Sequence, residues 1–229
     1  MTGQQQEAAL TPAQFSTYYP RLYHMAEFGT WDGIQANGLL STTALLDLFE
    51  IHGERRRRIE RAHRPESVTV EHPRYGTAVI RDQKPMRETA LRKCLLGMEP
   101  TDWYAALNSR VFFWVTPERV QTLLGARAYR GRRHMVITVD TAALLDRHGD
   151  RVLLSPINSG STIYRPVERS ADTFRTLDRY PFEERRRLRG VDNAVAEVCV
   201  EYSVPDISTL AVRAEVRQGT KVIEVLYSR

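Results

Sequence analysis

The feature that most constrains the fold is the spacing of short strand-like runs. SRVFFWV (109–115), RHMVITVD (133–140), RVLLSPI (151–157), AVAEVCVEYSV (194–204), LAVRAEVRQ (210–218) and KVIEVLY (221–227) are rich in β-branched and aromatic residues. The runs SVTVEH (67–72) and GTAVIRD (76–82) flank Pro73-Arg74-Tyr75-Gly76, a hairpin turn signal. Helical patterns such as MRETALRKCLLG, TPERVQTLLGARAYR and TAALLDRHG fall between strands at irregular intervals. About seven strands without regular β-α alternation predict an α+β fold, a single domain around a largely antiparallel sheet flanked by helices. No linker is long enough to divide it. A polar segment over 1–14 is expected to precede one domain over 15–229.

The opening unit LYHMAEFGTWDGIQANGLLS (22–41) sets a polar His24 inside an apolar strand. Asn37-Gly38 supplies the αL stop for a helix beginning near Trp31, and Ser41 can cap the next helix. This brings His24 and the Gly38–Ser41 backbone toward one cleft.

The chain has 229 residues, 42% of them hydrophobic, enough for a substantial core, and no apolar run long enough to span a bilayer. The start, MTGQQQEAALTPAQ, lacks the basic and apolar regions of a signal peptide. The two cysteines, Cys94 and Cys199, lie far apart in apolar settings, which argues against a disulfide framework and for a reducing cytoplasm. The net charge of +5 is carried by arginine clusters: Arg55, Arg56, Arg57 and Arg58; Arg127, Arg130, Arg132 and Arg133; Arg185–Arg187 with Arg189. Arginine forks suit phosphates, so DNA or RNA is an expected partner. A solvated helix face is the plainer alternative, with Glu54, Glu60, Glu183 and Glu184 placed to pair with two of the runs.

The six histidines show no HxxxH or HxH spacing, so no metal site is expected. No dinucleotide fingerprint, P-loop or nucleophile elbow is present. NSGST (158–162) is either a phosphate-facing loop or a plain turn. Glu197 stands inside an apolar strand, where it is either solvent-facing or buried with a partner.

The strand histidine, the helix ending in Gly-Leu, the central aromatic strand running into a helix and the late strand glutamate resemble the ADP-ribosyltransferase fold. Within it, AEVCVEYSVP and the first unit look like the DarT group, which attaches ADP-ribose to DNA bases. The resemblance implies an ADP-ribosyltransferase-like central sheet and NAD as substrate, with no metal. It implies a NAD-dependent mono-ADP-ribosyltransferase that modifies a nucleic acid, with a toxin or defence role and an antitoxin or regulator as possible partner. Position by position, it gives His24 the adenosine-ribose role and Glu197 the catalytic role. Phe112 or Phe113 would stack on nicotinamide. The central strand has Phe where many relatives have Tyr, which removes a hydroxyl and keeps a stacking face. Gly38 and Ser41 would wall the NAD cleft, and Arg81 is the candidate cation for the pyrophosphate. Arg55–Arg58, Arg132 and Arg133 would guide the nucleic acid. The reading requires His24 and Glu197 to line one cavity rather than face opposite sides of the sheet. Two alternatives stand beside it: a non-catalytic basic nucleic-acid-binding module on a degenerate core of this type, and a metal-independent RNA-processing enzyme using His24 or His134.

Overall fold

The computed structural model describes residues 9–163 and 167–229. Its strands are β1 (Arg21–Glu27), β2 (Leu39–Leu40), β3 (Val68–His72), β4 (Gly76–Ile80), β5 (Arg110–Trp114), β6 (Arg133–Asp140), β7 (Val152–Ser155), β8 (Glu197–Glu201), β9 (Ser203–Val204), β10 (Ala211–Gln218) and β11 (Lys221–Ser228). Seven of them form one sheet in the order β11-β10-β6-β1-β5-β8-β7, every neighbouring pair antiparallel. This is the expected α+β class, a single domain with helices on both faces of the sheet.

Alternation along the strands explains why both faces need cover. Leu22 and Ala26 of β1 join Val111, Phe113, Ile137 and Val198 in the largest core. The helices Pro12–Tyr18, Trp31–Asn37, Thr141–His148 and Phe182–Arg189 close it with Phe15, Trp31, Leu144 and Phe182. On the other face Met25 and Val136 pack against Val120 and Leu124 of helix Pro117–Gly125. Farther along that face, Cys199 and Phe112 meet Leu91 of helix Glu88–Cys94 and Trp103 and Tyr104 of helix Pro100–Asn108. Each such side chain contributes about 1.5–3 kcal/mol on burial, so a sheet apolar on both sides must be sandwiched.

The hairpin expected around Pro73–Gly76 forms, but β3 and β4 pair only with each other. Val70 and Ile80 build a separate small core with Leu46, Phe49, Ile51 and Ile59, from helices Thr42–Leu48 and Gly53–Arg61 and the turn between them. The helix expected over 116–130 stops at Gly125; the chain then turns so that Tyr129 points inward and donates to Asp82 Oδ1 at 2.9 Å. The expected polar segment over 1–14 overlaps helix Pro12–Tyr18, capped by Thr11, and Leu10 is buried in the main core. Residues 1–8 of that segment, and residues 164–166, lie outside the described residues. Among the described residues, no helix is long and apolar enough to cross a membrane.

Gly38 ends helix Trp31–Asn37 as expected, but in a different conformation. Its φ of +83° comes with ψ of 171°, an extended region that only glycine enters readily, rather than αL. The reason lies in the next step: β2 must pair antiparallel with β9, Leu39 opposite Val204. A Cβ on Gly38 would also sit 2.6 Å from Pro205 Cα. We expect Gly38→Ala to cost about 2 kcal/mol or more, seen as a lower urea midpoint at unchanged m-value.

Candidate functional site

β1 and β5 are neighbours that scarcely pair. All of β1 is in register with β6, from Arg21↔Asp140 to Glu27↔His134, whereas Tyr23↔Trp114 is its single paired position with β5. Beyond that point the sheet splits, and side chains take over the backbone hydrogen bonding that a ladder would have supplied. His24 Nδ1–H donates to Phe112 O at 2.8 Å, and Arg81 Nη1 reaches Met25 O at 3.4 Å. A cavity of about 470 Å³ occupies the split, within the ordinary range for small-molecule sites.

The cavity wall includes His24, Gly38, Ser41, Arg81, Phe112, Phe113 and Glu197, every residue to which the ADP-ribosyltransferase resemblance gives a catalytic or cofactor-binding role. One expectation needs correction. Register puts His24 on the Phe113 and Ile137 face, and Glu197 with Trp114 and Cys199 on the other. Opposite faces of a continuous sheet would separate them. They meet at one cavity because the sheet is parted between β1 and β5, so its gap is open to both sides.

His24 has a defined protonation state. A carbonyl can only accept, so Nδ1 carries the proton and Nε2 keeps its lone pair. Nε2 has no partner among the described residues. Burial pulls the ring down to about 4, against the pull of the Phe112 hydrogen bond, so it is neutral at pH 7 and offers Nε2 as an acceptor. The ring packs edge-on to Phe113 at 5.7 Å. Glu197 is not a solvated strand carboxylate. It is 4% exposed, at the start of β8 between β5 and β7. Ser159 holds Oε2 with its hydroxyl at 2.6 Å and its N–H at 3.0 Å. Oε1 has no partner among the described residues. Burial pushes this carboxyl up to about 7, and the Ser159 bonds oppose it.

Ser41 is engaged as a helix cap, its Oγ accepting from Ala44 N at 3.1 Å. Phe113 is 1% exposed, deep in the core, while Phe112 is half-buried on the Glu197 face, 6.0 Å from the Phe174 ring. Arg81 lies over the Tyr129 ring at 5.1 Å, and its nearest carboxylate, Glu27, is 3.9 Å away. Burial lowers its guanidinium from the ordinary value.

Several wall residues escaped the sequence reading. Trp114 pairs directly with Glu197 across the sheet and faces the same way. Its parity with Phe112 was the available signal. Arg64, legible only as one more basic residue, is buried and donates to Arg81 O, Ile59 O and Asn108 Oδ1. Burial lowers it to about 10. The NSGST loop is a turn, with Ser161 N–H donating to Asn158 O at 3.4 Å, and at Ser159 the N–H is spent on Glu197 rather than left for a phosphate.

The basic runs are partly neutralised. Arg56 bonds Asp47 and Glu60, and Arg57 and Arg58 both pair with Glu54. Arg55 is exposed, without a partner among the described residues. Arg132 pairs with Glu27 at 2.8 Å, and Arg133 lies over the Phe28 ring at 5.6 Å. His134 is fully buried against Tyr129 O and lies away from the cavity.

Residues 20–211 match the model of a family described as "Family of unknown function (DUF7002)". The chain belongs to the DUF7002 family. No curated protein matches it. The matched span runs from the residue before β1 to the first residue of β10, so His24, Gly38, Arg81, Phe112 and Glu197 all fall within the DUF7002 region.

A pH-dependent stability follows from Glu197. Folded, it takes up its proton near pH 7 and unfolded near 4.5, so its burial costs nothing below pH 4.5 and its full amount above pH 7. In this DUF7002 protein Glu197→Gln should be more stable than the parent by about 3 kcal/mol at pH 8.5. The gain should vanish below pH 4.5, as followed by urea unfolding across pH.

Proposed function

We propose that this chain is a NAD-dependent mono-ADP-ribosyltransferase acting on a nucleic acid. The observation that carries the reading is the presence of two complementary groups in the parted sheet: a neutral histidine presenting a free acceptor nitrogen, and a buried carboxylate with one free oxygen. A hydroxylated ligand bearing a cationic leaving group suits both.

In this reading His24 Nε2 accepts from a hydroxyl of the adenosine ribose. Glu197 Oε1 accepts from a hydroxyl of the nicotinamide ribose. As the bond from the ribose C1′ to nicotinamide breaks, its electron pair leaves with the neutral nicotinamide, and positive charge develops on the ribose. A carboxylate fixed by Ser159 and shielded from water stabilises that charge strongly, because it needs no reorganisation and its field is little screened. Phe112 shares a face with Glu197 and Trp114, which makes it the better of the two phenylalanines for stacking on nicotinamide. Arg81 lines the cavity, its ion pair with Glu27 long at 3.9 Å, and in this reading it attracts the pyrophosphate.

The test is direct. NAD should raise the melting temperature of the chain, and label from NAD should appear on an added oligonucleotide. Glu197→Gln should lower transfer about 10²–10³-fold while NAD still binds. His24→Ala should instead weaken NAD binding by up to about tenfold, the value of one hydrogen bond. Absence of any NAD-induced shift, with salt-dependent oligonucleotide binding retained, would favour the non-catalytic module.

A further inference from the structure

The two edges of the seven-stranded sheet are finished differently. Outside β7, Arg175 closes a backbone bridge with Leu154, its N–H donating to Leu154 O at 3.1 Å and its carbonyl accepting from Leu154 N at 2.7 Å. β11, at the other edge, pairs only with β10, so its outer row of N–H and C=O groups has no partner among the described residues. Such a row is a template for another strand.

The side chains of β11 do not guard that edge. Val222, Ile223, Val225 and Leu226 are 37–45% exposed, and they are four of the ten large apolar side chains exposed among the described residues. Ile223 and Leu226 have no opposite residue on β10, because the register shifts at each of them. A bulge can turn an edge away from further pairing, but here each bulged residue offers an apolar side chain to solvent. The strand is nonetheless firmly placed: Tyr227 packs on Trp31 at the margin of the main core, ring centroids 6.0 Å apart. An exposed apolar stretch joined to a free backbone edge is the surface a second strand covers.

Charge decides which strand. Lys221 and Glu224 are exposed and have no partner among the described residues. Directly opposite residues of an antiparallel pair have neighbouring side chains, where unlike charges attract and like charges destabilise. A second copy of β11, antiparallel with Lys221 opposite Glu224, repeats that ion pair twice about a two-fold axis and puts Val222 opposite Ile223. Val225 and Leu226 then lie against the turn at 219–220 of the other copy. Registers that set Glu224 or Lys221 opposite itself oppose like charges. A full overlap, with Lys221 opposite Ser228, leaves both charges unpaired.

We propose that β11 is a self-association edge through which two copies of this chain join their sheets, antiparallel about a two-fold axis. With the β7 edge covered and the two-fold closed, assembly stops at two copies. The interface stays clear of the cavity: β1 is fourth from this edge, and no residue of β10 or β11 lines the gap between β1 and β5. It is therefore independent of the transferase reading and stands or falls whether or not the chain binds NAD.

The experiment is analytical ultracentrifugation of the full chain at about 1 to 100 µM, a range that resolves micromolar dissociation constants. The mass should rise from that of one chain to that of two, and no further. Ile223→Lys/Leu226→Lys, at exposed positions, should weaken the dimer about tenfold or more with the circular dichroism of the fold unchanged. Lys221→Glu and Glu224→Lys, each opposing like charges twice, should separately weaken it about tenfold, and the two together should restore the parental affinity to within about threefold. A single chain mass throughout the range would overturn the proposal and leave the edge to a strand of another protein. So would a dimer indifferent to Ile223→Lys/Leu226→Lys, or a combined charge reversal that associates as weakly as either change alone.

Discussion

The hydrogen bond from His24 to the Phe112 carbonyl is the interaction on which the rest of the site depends. It sits where two strands of one sheet have parted, and satisfies a backbone group the ladder no longer reaches. An unsatisfied buried carbonyl would cost about 1–3 kcal/mol, so the histidine stabilises the gap as well as lining it. Its orientation follows from the same bond: with Nδ1–H committed to Phe112, Nε2 is left as an acceptor for whatever enters. Burial keeps the ring neutral, so it cannot serve as a cationic anchor near neutral pH. The cations lining this gap are instead arginines such as Arg64 and Arg81.

Across the gap, Glu197 pays the opposite kind of penalty. Its folding raises its proton affinity, and Ser159 recovers part of that cost with two hydrogen bonds to one oxygen. The loop carrying Ser159 is itself clamped by Arg169, a buried guanidinium that donates to Asn158 O and Ser161 O and reaches Cys94 Sγ at 3.3 Å. Fixing a carboxylate through a loop that is held in turn by a buried cation gives a site with little freedom to reorganise, which suits stabilisation of developing charge.

Much of this was legible in the sequence where a residue broke its local pattern. His24 and Glu197 are polar residues in apolar strands, and Gly38 punctuates a helix; each anomaly marks a wall of the cavity. The strands themselves followed from β-branched alternation. What could not be read was set by long-range pairing. Nothing in LYHMAEF or RVFFWV says that β1 and β5 meet at one position only, so the sequence alone could not reveal that residues on opposite faces share a cavity. Ser159 and Arg64 were hidden for a similar reason. A serine in a small-residue loop and an arginine in a basic run carry no local sign of burial, and their roles appear only when Glu197 and Asn108 arrive from 38 and 44 residues away.

The most direct measurement is a crystal structure of the chain with a non-hydrolysable NAD analogue. The ligand should lie in the gap between β1 and β5, one ribose hydroxyl on His24 Nε2 and the other ribose against Glu197 Oε1, with the His24–Phe112 bond intact. An analogue bound elsewhere, or a gap that closes into a continuous β1–β5 ladder around no ligand, would contradict a NAD site in the parted sheet.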